Sequence, residues 1–303
     1  LALLAFLGAG HTDRGSAEEN PYAENVRAGL RFLMASQDTE GCIGSRASLH
    51  FINGHAMATL ALCEPYALTG NPRYRAPAQA AVDFLLRARN PYLAWRYEPR
   101  GGENDTSVTG WMVMALKSGK YGGLEIDPDA FEGARQWIDK MTDPEFGQVG
   151  YNMPGGASAR PEGLQDKFPP EKTQAMTAVG ILTRIFLGED PKGSKMIQLG
   201  ANLCLERPPV WNPDDGSIDM YYWYYATLAI FQVGGAHWKK WNEAMVEAIV
   251  KSQHPKGSGT RTGSWDPIGP WGPDGGRVYS TAVMVMCLEV YYRYDKVFGG
   301  GVR

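Results

Sequence analysis

Acidic residues stand where apolar, helix-like segments begin, and they are the first candidates for chemistry. Asp105, Glu171 and Asp219 each open such a segment, and Arg277 opens another. Three carboxylates and one guanidinium could supply a general acid, a general base and a cationic clamp, as in a glycosidase or a lyase. They could equally be three helix caps and an ion pair, because a carboxylate at a helix N-terminus accepts hydrogen bonds from free backbone N–H groups. Both interpretations remain open.

Aromatic residues form a second set of candidates. Their rings could shield a cation or stack on sugar rings. Helical spacing lets only some of them face a cavity, and the others must pack between helices. A histidine near a helix start is either a ligand-binding group or a hydrogen-bonded part of the structure. The candidate ligand-binding residues are Trp95, Trp111, Tyr221, Tyr222, Trp265, Arg277, Tyr279, His50 and His55, with Tyr97 and Trp271 in neighbouring loops.

The elements that must position these residues recur along the chain. Nearly continuous apolar segments return at a spacing of roughly fifty residues, which is typical of a repeat architecture. An apolar stretch on all sides predicts a buried helix. These segments cover residues 53–70, 105–119, 171–188, 219–235 and 277–293, and residues 1–8 are typical of the tail of a sixth.

Amphipathic segments alternate with the buried ones. An apolar stripe on one face predicts helices that lie outside the buried series. The segments cover residues 22–37, 74–89, 127–141, 192–206 and 238–253. The alternation predicts an all-α, single-domain α/α toroid over residues 1–303, with about six helix pairs. Its inner helices would run in one direction, and their N-termini would form a favourable seat for an anion.

Composition limits the classes of partner. The 303 residues are 44% hydrophobic with a formal net charge of -3, so we expect no nucleic-acid partner. The four cysteines lie far apart, which predicts free thiols rather than a disulfide framework. Residues 1–8 are too short to span a bilayer and lack a basic leader, so no signal or transmembrane segment is predicted. Because the chain opens within a helical segment without Met, we expect a fragment of a longer protein; membrane association and compartment stay open.

Two stretches resemble a known family. V-R-A-G-L-R-F-L-M-A-S-Q-D-T-E-G-C-I-G at residues 26–44 and A-I-V-K-S-Q-H-P-K-G, continuing to G-S-W at Trp265, resemble the Gln…Gly…Trp motifs of triterpene cyclases. Ile43 stands at the Trp position in the first copy. The chain thus resembles the prenyltransferase and squalene-oxidase repeat family, which includes squalene-hopene cyclase and protein prenyltransferase beta subunits. The resemblance implies an α/α toroid that binds an isoprenoid in its central cavity.

The family's catalytic motifs are altered in this chain. The cyclases protonate their substrate with the middle Asp of a D-x-D-D-T motif, and the similar stretch here has Asn104 at that position. In the segments similar to the prenyltransferase zinc site, Tyr221 replaces a Cys and Ser280 replaces a His. Zinc needs about four protein or water ligands, so we expect no metal and no other cofactor.

Three hypotheses follow for function. The first is a cyclase-like or prenyltransferase-like protein with a small apolar or anionic ligand in a central pocket. The second is a carbohydrate-active α/α-barrel enzyme, a glycoside hydrolase or lyase, that uses Asp105, Glu171 or Asp219. The third is a non-catalytic domain with a protein partner. Residues 142–170 form the longest connection, and a connection of that length is more often functional than idle.

Overall fold

A computed structural model describes residues 1–48 and 50–292, and these residues fold as helices. Within those ranges there are eleven α-helices and two 3-10 turns, and the only β-pairing is two isolated antiparallel bridges, Gln37 with Ile43 and Thr142 with Val149. The helices are α1 Ala2–Gly8, α2 Ala23–Ala35, α3 Phe51–Thr69, α4 Pro72–Ala88, α5 Thr106–Tyr121, α6 Asp129–Met141, α7 Ala175–Phe186, α8 Lys195–Leu205, α9 Met220–Val233, α10 Gly235–Ser252 and α11 Gly272–Leu288.

Buried and amphipathic helices alternate, as the apolar periodicity predicted. Every residue of α7 is buried, and α5 and α9 are buried along most of their length. By contrast, α2 buries only Ala23, Val26 and Leu30, a single stripe. A helix that is apolar all round must pack on every side, whereas one apolar stripe needs only one packed face.

Two helix starts differ by more than three residues from the sequence prediction. The predicted helix from Glu171 begins only at Ala175, because Glu171 lies in a 3-10 turn after Pro169 and Thr173 is extended. Conversely, α11 begins before the predicted Arg277 and breaks at Gly276, whose φ of +61° suits glycine. The predicted end of that segment, Arg293, lies outside the described residues.

The chain divides into two compact units. Among the described residues, unit 1 comprises Leu3–Trp137 with Leu1, Tyr291 and Tyr292, and unit 2 comprises Ile138–Val290 with Ala2. Each unit holds its own buried helices, α3 and α5 in unit 1 and α7, α9 and α11 in unit 2. The single domain over residues 1–303 stays a prediction.

In unit 1, α3 packs against α4 and α5. The rings of His50 and Tyr97, which precede α3 and α5, lie 4.9 Å apart, and Gly122 after α5 lies against Ala67 near the end of α3. Matching starts and matching ends mean that α3 and α5 run in the same direction. Their N-termini therefore face the same side of the unit.

In unit 2, α9 packs against α7 and α11. The hydroxyl of Thr173, just before α7, donates to the Asp219 carboxylate at the start of α9 over 3.0 Å. The connection 142–170 packs on this core, since Val149 is buried and its N–H donates to the hydroxyl of Thr177 in α7. This long connection is therefore fastened to the buried helices of its own unit.

Candidate functional site

Unit 1 holds a pocket of about 550 Å³ where α3 begins and where the loop before α5 ends. Four charged side chains and one serine share its wall with apolar surface, which includes two aromatic rings. The lining residues are Arg46, Ala47, Ser48, Phe51, Arg96, Tyr97, Glu98, Gly101 and Glu103. Most of the chemistry comes from the loop between Asn90 and Asp105.

Two asparagines close that loop. The Asn90 side chain donates to the side-chain oxygen of Asn104 at 3.0 Å and accepts from the N–H of Gly102 at 2.8 Å. The same Asn104 oxygen accepts from the N–H of Ala94 at 3.1 Å. Asn104 stands at the position that the proton-donating Asp has in the cyclases that this chain resembles. Here its side chain stabilises the loop by accepting two hydrogen bonds.

The loop also carries backbone strain. Tyr92 and Arg100 have φ values of 62° and 54° and are the two non-glycine residues with positive φ in the described part of the chain. Side chains with a Cβ rarely adopt this conformation, which costs of order 1–3 kcal/mol where it persists. Such outliers cluster at binding and active sites, which agrees with the position of the pocket.

Arg96 is the centre of the pocket wall. Its guanidinium lies 5.4 Å from the centre of the Tyr97 ring and forms an ion pair with Glu103. On the buried side its Nε lies 3.9 Å from a carboxylate oxygen of Asp105. Tyr97 in turn meets the ring of His50 edge-on at 4.9 Å. One arginine thus connects an aromatic platform to two carboxylates.

The second arginine of the pocket is also paired. Arg46 lies 2.6 Å from both the Asp38 and the Glu40 carboxylates. Hydrogen bonds to Glu40 and then to Asp38 raise the pKa of the Arg46 guanidinium, so it stays charged. The lining residues include two cations, Arg46 and Arg96, and two carboxylates, Glu98 and Glu103, so their formal charges sum to zero.

The predicted catalytic carboxylates have structural roles at two of three positions. Asp105 is the N-cap of α5 and accepts from the N–H of Val108 at 2.7 Å with its side chain fully buried. Asp219 is the N-cap of α9 and accepts from the N–H of Tyr222 at 3.1 Å. Glu171 is exposed and caps no α-helix. Catalysis by these three residues stays a prediction.

Arg277 forms its ion pair with a residue that the sequence did not single out. Its guanidinium lies 2.6 Å from the carboxylate of Asp266, which also lies 2.9 Å from the ring of His254. Hydrogen bonds from His254 and Arg277 lower the pKa of Asp266. The group is half-exposed and fastens the loop before α11 to the helix start.

Several aromatic candidates are packed rather than open to a ligand. The indole N–H groups of Trp95 and Trp265 donate to the carbonyls of Leu85 and Ile249 on amphipathic helices, each over 2.8 Å. The Tyr222 hydroxyl donates to a backbone carbonyl at 2.9 Å, and Trp111 is buried. Their shared role is to join a buried helix or its loop to an amphipathic one.

The two histidine candidates have different surroundings. His50 is exposed beside Tyr97, next to the pocket. His55 is fully buried; its Nδ1 accepts from the N–H of Ile43 at 2.9 Å, so its Nε2–H faces the carbonyl of Ala81 at 3.1 Å. Burial lowers the pKa of His55 to about 4, which keeps the ring neutral. His55 is a structural histidine.

The remaining candidates, Tyr221 and Tyr279, lie in unit 2 and are half-buried. The centre of the Tyr221 ring lies 4.9 Å from that of the buried Tyr225, with the two rings tilted by 51°, and 6.2 Å from that of Trp271. Sequence reasoning named the rings of this group. It missed Arg46, Arg96, Glu98 and Glu103, although the polar loop R-Y-E-P-R-G-G between an amphipathic helix and a buried one was a usable signal.

Among the residues that the structure describes, no three His, Cys, Asp or Glu side chains are grouped so that they could hold a metal ion. In the same residues no helix has both the length and the apolar character needed to cross a membrane.

No protein-family model and no curated protein sequence matches this chain. Several solved structures are similar to it. An inactive variant of the alpha-1,6-mannanase GH76A of Salegentibacter sp. HEL1_6 in complex with alpha-1,6-mannotriose is similar with a TM-score of 0.57 and 13% identity, over 95% of this chain and 86% of that one. A variant of UGL with dGlcA-Glc-Rha-Glc is similar with a TM-score of 0.60 and 13% identity, over 100% of this chain and 87% of that one.

A third similarity is weaker. The apo type II terpene cyclase MstE from Scytonema matches with a TM-score of 0.42 and 13% identity, over 88% of this chain and 97% of that chain. At that score it supports neither a fold nor a function assignment. At 13% identity the two stronger similarities show the fold alone. The predicted fold class is thereby confirmed: the chain is an all-α protein of the α/α toroid class.

Proposed function

We propose that unit 1 binds a neutral oligosaccharide in the pocket beside Tyr97, and that the protein is a carbohydrate-active enzyme. The observation that carries this proposal is the Arg96 group: one guanidinium stacked on Tyr97 and paired with Glu103 at the wall of the pocket. A sugar ring offers a C–H face that packs on an aromatic ring and hydroxyls that bond to charged, planar groups.

The charge balance favours a neutral ligand over an anionic one. Arg46 is shared between Asp38 and Glu40, and Arg96 between Glu103 and the buried Asp105. An isoprenoid diphosphate would need positive charge without such partners and an apolar chamber for its chain. The apolar or anionic ligand predicted from the family resemblance therefore has less support from this pocket than a saccharide has.

Two carboxylates could take part in bond cleavage. Glu103 is largely exposed, and the Glu98 side chain folds over Gly101 in the same wall. Glycoside cleavage generally uses a pair of Asp or Glu residues on either side of the scissile bond. Glu98 and Glu103 are the residues to which we assign these roles.

The comparisons support a saccharide as the class of ligand, without fixing the sugar or its charge. The two structures with TM-scores above 0.5 are named with an alpha-1,6-mannotriose and with dGlcA-Glc-Rha-Glc. A fold hosts many functions, so the weight of the proposal lies on the pocket of this chain.

Calorimetry of the purified chain tests the proposal. The titrants are alpha-1,6-mannotriose, dGlcA-Glc-Rha-Glc, geranylgeranyl diphosphate and inorganic diphosphate. We expect a neutral saccharide to bind, and we expect Tyr97→Ala and Glu103→Gln to weaken its Kd about tenfold or more, since a hydrogen bond to a charged group is worth about 1.5–3 kcal/mol. Released reducing ends report turnover, which Glu103→Gln should abolish.

Two substitutions serve as matched controls. Tyr121 is exposed at the opposite end of α5 from the pocket, and Glu125 is an exposed acid beyond that end. Tyr121→Ala and Glu125→Gln should leave the saccharide Kd unchanged. Binding of geranylgeranyl diphosphate but of no saccharide, with loss in Tyr97→Ala, would overturn the proposal in favour of the isoprenoid hypothesis.

A further inference from the structure

Asp105 faces a pocket arginine from inside the protein. One of its carboxylate oxygens lies 3.9 Å from Nε of Arg96, and the Asp105 side chain is 0% exposed. The Arg96 side chain is 22% exposed and lines the pocket, whereas Asp105 is not among the lining residues. A ligand in the pocket therefore meets Arg96 directly and is influenced by Asp105 only through its charge.

Two hydrogen bonds fix Asp105 behind Arg96. The N–H of Asp105 donates to the carbonyl of Trp95, the residue before Arg96, at 2.9 Å. The Asp105 side chain caps α5 by accepting from the N–H of Val108 at 2.7 Å. A helix N-terminus favours a negative charge. The carboxylate of Asp105 is thus held as a fixed charge that cannot turn toward solvent.

The other carboxylates that pair with the pocket arginines are different. The side chains of Asp38, Glu40 and Glu103 are between 40% and 74% exposed. Water and salt screen exposed pairs, and an exposed side chain can rotate away from its arginine when a ligand brings a carboxylate of its own. Asp105 cannot rotate away, and a buried charge is screened much less. Its influence on Arg96 therefore persists whatever the ligand is.

We propose that Asp105 determines the charge selectivity of the pocket in unit 1. Its fixed carboxylate offsets the positive charge of Arg96 from behind, and it repels a ligand carboxylate that approaches Arg96 from the front. The pocket therefore accepts a neutral saccharide and disfavours an acidic one, such as a uronate. Asp105 is a positioning residue that acts through Arg96 and does not touch the ligand. The inference rests on the proposed function for its ligand class.

Two probes that differ only in charge test the inference by calorimetry. They are alpha-1,6-mannotriose and the same trisaccharide with the C6 hydroxymethyl group of its non-reducing mannose oxidised to a carboxylate. We expect the native chain to bind the neutral probe more tightly. Asp105→Asn keeps an oxygen for the cap and removes the charge. The Kd of the acidic probe should then fall about tenfold, while that of the neutral probe stays within about twofold.

Further variants separate charge from structure. Asp105→Ser also leaves a neutral cap and should reproduce the result. Adding Arg96→Gln to Asp105→Asn should remove the gained preference for the acidic probe, because the effect passes through Arg96. The matched control is Glu125→Gln, which also removes one negative charge but at an exposed position beyond the far end of α5. It should leave the ratio of the two Kd values unchanged.

Each contrary result has its own pattern. If the native chain binds the neutral probe and the Kd ratio is the same in Asp105→Asn, the inference is wrong and the proposed function stands. Weakening of both probes by one factor would show that Asp105 only supports the shape of the loop. A native chain that binds both probes equally well refutes the charge selectivity but keeps a saccharide site. Binding of neither probe to any of these chains overturns the inference together with the proposed function.

Discussion

The guanidinium of Arg160 lies 2.9 Å from the carboxylate of Asp219, and the two side chains are only 3% and 1% exposed. Arg160 comes from the long connection 142–170 and also donates to the carbonyl of Phe168 at 2.9 Å. Asp219 caps α9 and accepts from Thr173. A buried charge is tolerated only when it is paired and hydrogen-bonded. This pair therefore fastens the connection to the start of α9.

Removing one member of this pair should be costly. We expect Arg160→Met to lower the free energy of unfolding by about 3–5 kcal/mol, because it leaves the Asp219 carboxylate buried without its partner. Adding Asp219→Asn in the same chain should recover part of the loss, since the amide oxygen still caps α9. Urea unfolding measures both. As a control, Lys251→Met breaks an exposed pair with Glu247 and should cost less than about 1 kcal/mol.

A loss below about 1 kcal/mol in Arg160→Met would mean that water reaches the pair. The connection would then be held by packing rather than by charge.

Asp105 should behave as a helix cap. Asp105→Ala removes the oxygen that accepts from Val108 and should cost about 1–2 kcal/mol, whereas Asp105→Asn keeps an oxygen there and should cost far less. Chemical denaturation of the two variants separates these effects. Equal losses in both would show that the negative charge facing Arg96, and not the cap, is the important property of Asp105.

Acid should destabilise the protein through His55. Burial lowers the folded-state pKa of His55 from 6.5 to about 4, and Ile43 already donates to the Nδ1 that would be protonated. Between these two values the unfolded chain binds a proton that the folded chain does not. The contribution of His55 to the free energy of unfolding is therefore fully present above pH 6.5 and is lost as the pH falls toward 4. It amounts to about 3 kcal/mol.

Unfolding curves from pH 7 to pH 4 test this for the native chain and for His55→Gln. In His55→Gln the free energy of unfolding should fall less steeply between pH 7 and pH 4, whatever the stability of the variant at neutral pH. Parallel slopes in the two proteins would assign the acid sensitivity to other groups.

The cysteines should be unreactive in the folded protein. All four thiols are free and buried. Burial raises the pKa of Cys204 to about 12 and those of Cys63 and Cys287 well above their usual range. The thiolate is the reactive form, so a thiol reagent at pH 8 should label the native chain only slowly.

Labelling in urea should reach four groups per chain, in line with the four cysteines of the sequence. Fast labelling of any cysteine without denaturant would reveal local opening of the segment that carries it, a helix for Cys63, Cys204 and Cys287 and a loop for Cys42. Mass spectrometry of each cysteine-containing peptide would identify that segment.

The helices were predictable because their signals are local. The apolar run Met220–Val233 between Asp219 and Gly234 predicts both a buried helix and its ends. The predicted helix start at Glu171 was wrong, since Thr173 is extended and donates its hydroxyl to Asp219, and α7 begins only at Ala175. That contact joins residues 46 positions apart, which a local pattern of apolar residues does not predict.

The site was predictable only in part. Residue types correctly indicated that carboxylates at helix starts could be caps, as they are at Asp105 and Asp219. Their ion-pair partners were not predictable, since Arg96 and Arg160 lie in loops whose paths depend on strained or glycine-rich backbone. Spacing along the chain carries no information about such contacts.

The sequence by itself determined the alternating series of buried and amphipathic helices, because helical periodicity and helix ends depend on residues a few positions apart. Only the tertiary structure decided which charges meet. It paired Arg96 with Glu103 beside Tyr97, and it left Trp271 and Tyr279 without acceptors among the described residues. Both results depend on how loops distant in sequence pack against helix starts, which is a property of the folded chain and not of any local pattern.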